Sequence, residues 1–150
     1  MSLEVRVDYA SRRPAPPRAA ITRWARAAFG RRRGRALIGV RIVNASESAA
    51  LNARYRGRTG PTNVLAFPFE PPPGVRAHVL GDLVICAPVV NREARAQGKT
   101  PAAHWAHMVV HGVLHLLGYD HQSRTEARAM ERREKAVLRR LGYPDPYVLS

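Results

Sequence analysis

The chain has 150 residues, of which 45% are hydrophobic and 24% charged, and these values describe one globular domain and exclude a disordered or fibrous chain. Its formal net charge of +14 favours a polyanionic partner such as nucleic acid. All but two of the 25 basic residues are arginines, however, and GC-rich genomes also supply arginine, alanine and proline in excess, so the charge alone leaves that partner open.

The predicted elements alternate between strands and helices. Four segments have the period-two alternation or β-branched content of strands, namely residues 3–9, 36–43, 62–69 and 79–86. Five segments have helical spacing or capping residues, namely residues 16–30, 44–57, 87–97, 101–117 and about 125–141. Pro68 predicts an edge position for the third strand because proline cannot donate to a ladder, and Gly81 indicates a bulge or a close backbone approach.

This order predicts an α/β (α+β) fold. We expect a single domain over residues 1–150, in which a small mixed four-stranded sheet packs with about five helices. The longest apolar run, residues 83–90, is too short to cross a bilayer, and residues 1–6 do not resemble a secretory signal. The single cysteine, Cys86, fits a reducing compartment. We therefore expect no membrane span and a cytoplasmic location.

The fourth predicted helix carries four histidines. Residues 102–117 contain 11 apolar residues and one glycine besides these histidines, which predicts a buried helix. At 100° per residue, the histidines fall within an arc of about 80° and form one stripe about 16 Å long. Only neighbours on this stripe can share a metal ion, so the pair is either His107 with His111 or His111 with His115.

The residues after this helix decide between the two pairs. Gly118 stands where a left-handed residue would end the helix, and the chain then returns His121 toward His115. His111, His115, Gly118 and His121 have the spacing of the zinc-binding segment of metzincin proteases. Three neutral imidazoles leave the fourth position of a tetrahedral zinc ion open for water, as in a catalytic site. The alternative is a set of core histidines whose hydrogen bonds are satisfied without metal.

The residues around the predicted ligands differ from those of a protease. Gly112 follows the first histidine, where a metalloprotease has its glutamate general base, so peptide hydrolysis is disfavoured. His104 and His107 are interpreted as structural residues or as partners of the ligands, because a ligating imidazole usually needs its other nitrogen held. Asp82 and Asp120 could supply such contacts. Asp120 could equally be only a turn residue.

Three segments of the chain resemble one protein family. Residues 111–121, HGVLHLLGYDH, resemble the HGxLHLxGYDH signature of the YbeY family, bacterial endoribonucleases of rRNA maturation. Residues 51–68 resemble the LNxxYR…PTDVLSFP block of that family, and residues 81–86 resemble its GDIVI strand. The chain departs from the pattern beside Arg56, at Gly60, Asn63 and Ala66, where an acid, aspartate and serine are common. Residues 1–50 match only in the order of predicted elements.

The resemblance implies a site and an activity. His111, His115 and His121 would bind one zinc ion, with His111 and Arg56 as catalytic residues. The enzyme would cleave rRNA precursors, notably at the 3′ end of small-subunit rRNA, in ribosome maturation and quality control. Its partners would be rRNA and the small ribosomal subunit, with contacts to ribosomal proteins and no small-molecule cofactor. A guanidinium such as that of Arg56 suits charge on a phosphoryl group.

Several points stay open at this stage. Zinc would lower the pKa of its water and polarise a phosphate oxygen, but the attacking group is either zinc hydroxide or the ribose 2′-hydroxyl. Single-stranded targets are favoured because their backbone can bend into a cleft. A degenerate metzincin-like hydrolase and a non-catalytic, zinc-containing assembly factor that binds rRNA are the alternatives. Six arginines are candidates for contacts to the RNA backbone: Arg31, Arg32, Arg33, Arg54, Arg58 and Arg124.

Overall fold

The computed structural model of the chain describes residues 2–75 and 78–148. The elements in chain order are β1 (Ser2–Tyr9), α1 (Arg18–Phe29), β2 (Arg35–Val43), α2 (Ala45–Arg56), β3 (Val64–Pro68), β4 (Val79–Cys86), α3 (Ala87–Ala96), α4 (Pro101–Leu116) and α5 (Arg124–Arg140). Strands β1, β2 and β4 are parallel and β3 pairs antiparallel with β4, in the order β1-β2-β4-β3. This mixed sheet and its five helices confirm the predicted fold class.

Two elements begin later than expected. Helix α1 starts after Pro17, because a proline disfavours helical geometry in the residue before it and so keeps position 16 extended. Strand β3 lies at an edge, as Pro68 predicts, but it starts at Val64. Before it, the Ser48 hydroxyl of α2 donates to the carbonyl of Thr62 and accepts from its N–H, both at 3.0 Å. This part of the chain is therefore fixed to α2.

The irregularity expected at Gly81 is present. The pairing of β2 with β4 shifts between Leu37 and Ile38, so that Leu80 bulges out of the ladder. Gly81 has a φ of +144°, and a Cβ atom there would lie 2.2 Å from the carbonyl oxygen of Phe67. Both the bulge and the close approach of β3 therefore require glycine at this position.

The two faces of the sheet carry cores of different size. Leu83 and Ile85 of β4 belong to the main core, which contains much of α1 and α4. Val84 and Cys86 point the other way into a smaller cluster with Leu51 of α2. The main core thus fixes α4, the histidine-bearing helix, against the sheet, while α2 covers part of the opposite face. Within residues 2–75 and 78–148, no helix combines the length and apolar character of a membrane span.

Candidate active site and metal centre

The C-terminal end of α4 reverses the chain in the expected way. Gly118 has a φ of +102°, and its N–H donates to the His115 carbonyl at 3.0 Å. The next N–H, of Tyr119, donates to the Leu114 carbonyl, also at 3.0 Å. These two bonds form a Schellman motif, which satisfies the last carbonyls of the helix. The reversal brings His121 back against the last turn of α4.

The three predicted ligands are together in the structure. His115 Nε2 lies 2.9 Å from His121 Nε2. The ring centroid of His111 is 4.7 Å from that of His115 and 5.1 Å from that of His121. One nitrogen from each ring lies within 4.8 Å of the others. Two nitrogens on a tetrahedral zinc ion are about 3.3 Å apart, given bond lengths of about 2.0 Å. The three imidazoles can therefore hold a metal ion after small ring rotations.

The protonation of the cluster suits metal binding. Burial, together with the neighbouring His111 and His121, lowers the pKa of His115 to about 4. The imidazole of His115 is therefore neutral at pH 7, and the neutral form is the one that binds a metal.

Glu134 on α5 is a site residue that the sequence analysis missed. Its carboxylate is 1% exposed, and its Oε1 lies 3.0 Å from His111 Nδ1. Burial raises the pKa of Glu134, but hydrogen bonds from His107 and His111 outweigh burial and lower it to about 2. An ionised carboxylate only accepts hydrogen bonds, so His111 Nδ1 carries the proton and its Nε2 lone pair is left for a metal.

Two further groups converge on the same carboxylate. His107 Nε2 lies 2.6 Å from Glu134 Oε2, and the Tyr147 hydroxyl donates to that oxygen at 2.9 Å. The structure thus places His107 and His111 on the same carboxylate, and these three side chains form a second group that could hold a metal ion. His104 has a different partner, since its Nε2 lies 2.9 Å from Glu93 Oε1.

The two aspartates considered as partners of the ligands occupy different places. Asp120 lines the histidine cleft, and its Oδ1 accepts from the backbone N–H of His121 at 2.7 Å, which supports the turn interpretation. The structure does not bring Asp82 to the histidines. Side chains alternate along β4, and Leu83 faces α4, so Asp82 points into a groove on the opposite face beside Gly39.

The histidine cluster opens into a cleft of about 800 Å³. Arg56, in the last turn of α2, and Arg58 line this cleft together with His111, His115 and His121. Residues 62–67, from β3 and the segment before it, also line the cleft, and Asn52 holds that segment through a 2.9 Å bond to the Gly60 carbonyl. The histidine cluster and an exposed guanidinium therefore face one open space.

The remaining arginine candidates lie on different elements of the fold. Arg54 lies over the ring of Tyr55, which lines the cleft, with its Cζ atom 5.3 Å from the ring centroid. Arg31, Arg32 and Arg33 follow α1, and Arg124 begins α5.

Gly112 lines the cleft, and the packing of α4 on β4 leaves no space for a side chain there. A Cβ atom at this position would lie 2.7 Å from Leu83 Cδ2 and 2.9 Å from Leu83 Cδ1. At the position where a metalloprotease has its general base, the Leu83 side chain of β4 therefore fills the space that a side chain would need. A glutamate side chain has no room there.

Comparison with known proteins identifies the family. The sequence profile described as "YbeY: Endoribonuclease YbeY" matches residues 18–142, which is most of the chain. The chain belongs to the YbeY endoribonuclease family. The resemblance expected from three segments is thus confirmed, and the match extends into α1 and β2. Endoribonucleases are hydrolases that act on RNA.

Relatives of the YbeY family agree over nearly the whole chain. A protein named Endoribonuclease YbeY from Alkalilimnicola ehrlichii is 57% identical, covering 100% of this chain and 93% of its own. Its namesake from Methylococcus capsulatus is also 57% identical, with coverages of 97% and 95%. A solution structure of a Thermotoga maritima protein superimposes with a TM-score of 0.54 at 22% identity, covering 96% of this chain and 99% of that one. At that identity, the solution structure shows only that the fold is shared.

Proposed function

We propose that this chain is a single-zinc endoribonuclease that processes single-stranded rRNA precursors, notably at the 3′ end of small-subunit rRNA. It would act in the cytoplasm with the small ribosomal subunit and its proteins as partners, in ribosome maturation and quality control. The observation that carries the proposal is the meeting of His111, His115, His121 and Arg56 in one cleft. The net charge of +14 supports a polyanionic substrate.

The protein would hold zinc through His111, His115 and His121, three imidazoles of the kind that suit this metal. When bound, zinc supplies a Lewis acid that lowers the pKa of water and polarises a phosphoryl oxygen. Glu134 orients His111 by accepting a hydrogen bond from its Nδ1–H. The role of these residues is to present three imidazole nitrogens to one metal ion in the cleft.

Arg56 would bind the phosphate that is cleaved. Its guanidinium is exposed in the cleft and stays protonated, so it can donate two hydrogen bonds to non-bridging oxygens and stabilise the negative charge that grows there. Arg58 would hold a neighbouring phosphate at the same wall. Gly112 supplies no carboxylate at the position where metalloproteases have their general base.

The test is cleavage of a single-stranded rRNA 3′ precursor by the zinc-loaded protein, compared with Arg56→Ala and His111→Ala. Arg139→Ala is the matched control, because it removes the same charge from the exposed end of α5. We expect activity to fall at least a hundredfold in the two site variants and to be unchanged in the control. Equal activity in all four proteins would contradict the proposal and leave the non-catalytic assembly factor as the alternative.

The chemical nature of the new RNA ends separates the two nucleophiles. Attack by the ribose 2′-hydroxyl gives a cyclic phosphate, whereas attack by water does not. Mass spectrometry of the products therefore decides between the two versions of the reaction.

A further inference from the structure

Tyr55 is an aromatic side chain that the proposed reaction leaves without a role. It lies in the last turn of α2, and 56% of its surface is exposed. Its ring is nonetheless held in place, because it packs against Phe67 of β3 with a centroid distance of 5.2 Å and an interplanar angle of 71°. An exposed aromatic ring beside a cleft offers a face on which a base can stack.

The position of this ring relates it to the cleft. Tyr55 and Phe67 line the histidine cleft, and both also line the groove on the other face of the sheet that contains Asp82. The pair therefore forms a ridge between the two spaces. Arg56, which we assign to the scissile phosphate, is the next residue in the chain.

One face of the Tyr55 ring already holds a flat group. The guanidinium of Arg54 lies over this face, with its Cζ atom 5.3 Å from the centroid. Arg54 is itself exposed, so it can turn away from the ring toward a phosphate at little cost. A planar group of similar thickness then has access to the same face.

We propose that Tyr55 is the stacking platform for an unpaired RNA base adjacent to the phosphate bound by Arg56. This inference rests on the proposed function. Single-stranded nucleic acids are typically bound by arginines that follow the backbone and by aromatic rings on which bases stack, and both are present at this ridge. A base in a duplex is stacked on its neighbours, so the platform selects RNA whose base is free to leave the stack.

The experiment uses the zinc-loaded protein and a short single-stranded RNA whose cleaved bond has been mapped. An abasic nucleotide is placed in turn at each position beside that bond, and kcat and KM are measured for wild type, Tyr55→Ala, Tyr55→Trp and Phe69→Ala. Phe69 is the matched control, since it is an exposed aromatic residue that follows β3. Tyr55→Trp keeps a stacking ring.

We expect one abasic position to raise KM about tenfold in wild type, as typical for the loss of one base–aromatic stack. Tyr55→Ala should raise KM about as much with intact RNA, and the abasic nucleotide should then add no further penalty. Tyr55→Trp and Phe69→Ala should resemble wild type. An equal abasic penalty in wild type and Tyr55→Ala would overturn the inference, as would an unchanged KM in Tyr55→Ala.

A binding measurement distinguishes failure of this inference from failure of the proposed function. RNA carrying 2-aminopurine at the same position should lose fluorescence when it stacks on the ring in wild type, and this quenching should disappear in Tyr55→Ala. Quenching without cleavage by any of the proteins would retain the platform and reject the ribonuclease. Cleavage with equal quenching in wild type and Tyr55→Ala would retain the ribonuclease and reject the platform.

Discussion

His107 and His111 are joined by one carboxylate, that of Glu134, which lies 2.6 Å from the Nε2 of the first and 3.0 Å from the Nδ1 of the second. Each imidazole faces a different oxygen of this carboxylate, and the Tyr147 hydroxyl donates to Oε2, the oxygen beside His107. A group with three donors around it is held tightly and cannot rotate without leaving a buried polar atom unpaired. The orientation of His111 is therefore set by a buried carboxylate of α5.

The substitution Glu134→Gln should weaken zinc binding about 10- to 100-fold, the usual effect of losing a partner of a ligating histidine. In the wild type, the ring nitrogens of His107 and His111 face a carboxylate, whereas in the variant one of them would face an NH₂ group. The neutral amide would also no longer increase the basicity of His111. The measurement is zinc affinity by chelator competition. Glu131→Gln, earlier on α5, is the control with the same change in charge. Equal affinities in the two variants would contradict this role.

Zinc should raise the stability of the protein, and His121→Ala should abolish this effect. His121 is exposed in the turn after α4, so its loss should change the stability of the metal-free protein by no more than about 0.5 kcal/mol. With zinc at 100 times its Kd, the wild type should gain about 2.7 kcal/mol by mass action. The check is Tm with and without zinc, and with a chelator added. His78→Ala, which removes another exposed histidine, should retain the zinc effect.

The substitution Gly112→Ala should destabilise the protein by about 1–3 kcal/mol, although alanine favours helix over glycine elsewhere. The added methyl group would meet two Leu83 methyl carbons at less than 3.0 Å, so either the buried Leu83 side chain or α4 must shift. Denaturant unfolding measures the effect. A double-mutant cycle with Leu83→Ala tests its cause, because removing the Leu83 methyl groups should recover part of the loss. Additive effects would show that the clash is not the cause.

Glu93 should make stability depend on pH in the acid range. Burial raises the pKa of Glu93, but hydrogen bonds from His104 and Asn63 outweigh burial and lower the pKa below 4.5. A pKa that is lower in the folded than in the unfolded state gives stability that is complete above about pH 4.5 and lost as pH falls through the folded value. Wild type should therefore be more stable than Glu93→Gln at pH 7.

The measurement is the free energy of unfolding of both proteins from pH 7 to about pH 3. The difference between wild type and Glu93→Gln should shrink steadily below about pH 4.5, because both side chains are then neutral. A difference that does not depend on pH would show that the charge of Glu93 is not the stabilising feature.

Some parts of the site were predictable from the sequence because they depend on local geometry. The apolar content of α4 and the spacing of its histidines by three or four residues predict one buried stripe, and Gly118 predicts the reversal that follows. Asp82 shows where local reasoning was incomplete. Period-two alternation puts Leu83 and Asp82 on opposite faces of β4, and a buried α4 must cover the face of Leu83.

Other parts depend on tertiary packing that the sequence does not display. Glu134 is an acid on an amphipathic helix rich in arginine, which usually indicates a solvent-exposed residue. One signal was present, since Glu134 shares a helix face with the apolar residues Met130, Val137 and Leu138. Its partners could be known only once α5 was placed against α4. Arg56 was singled out by family resemblance, because one arginine among so many has no distinguishing composition or spacing.

The edge position of β3 affects how the cleft tolerates sequence change. Val64, Leu65, Ala66 and Phe67 line the cleft, and in residues 2–75 and 78–148 the strand pairs on one side only, with β4. Its other edge therefore presents main-chain groups that β4 does not bind. The Val64 N–H of this strand donates to the Asn63 side-chain oxygen at 2.7 Å, so a change at position 63 also changes how the backbone is satisfied. A change at position 66 alters the lining of this wall and leaves the main-chain groups in place.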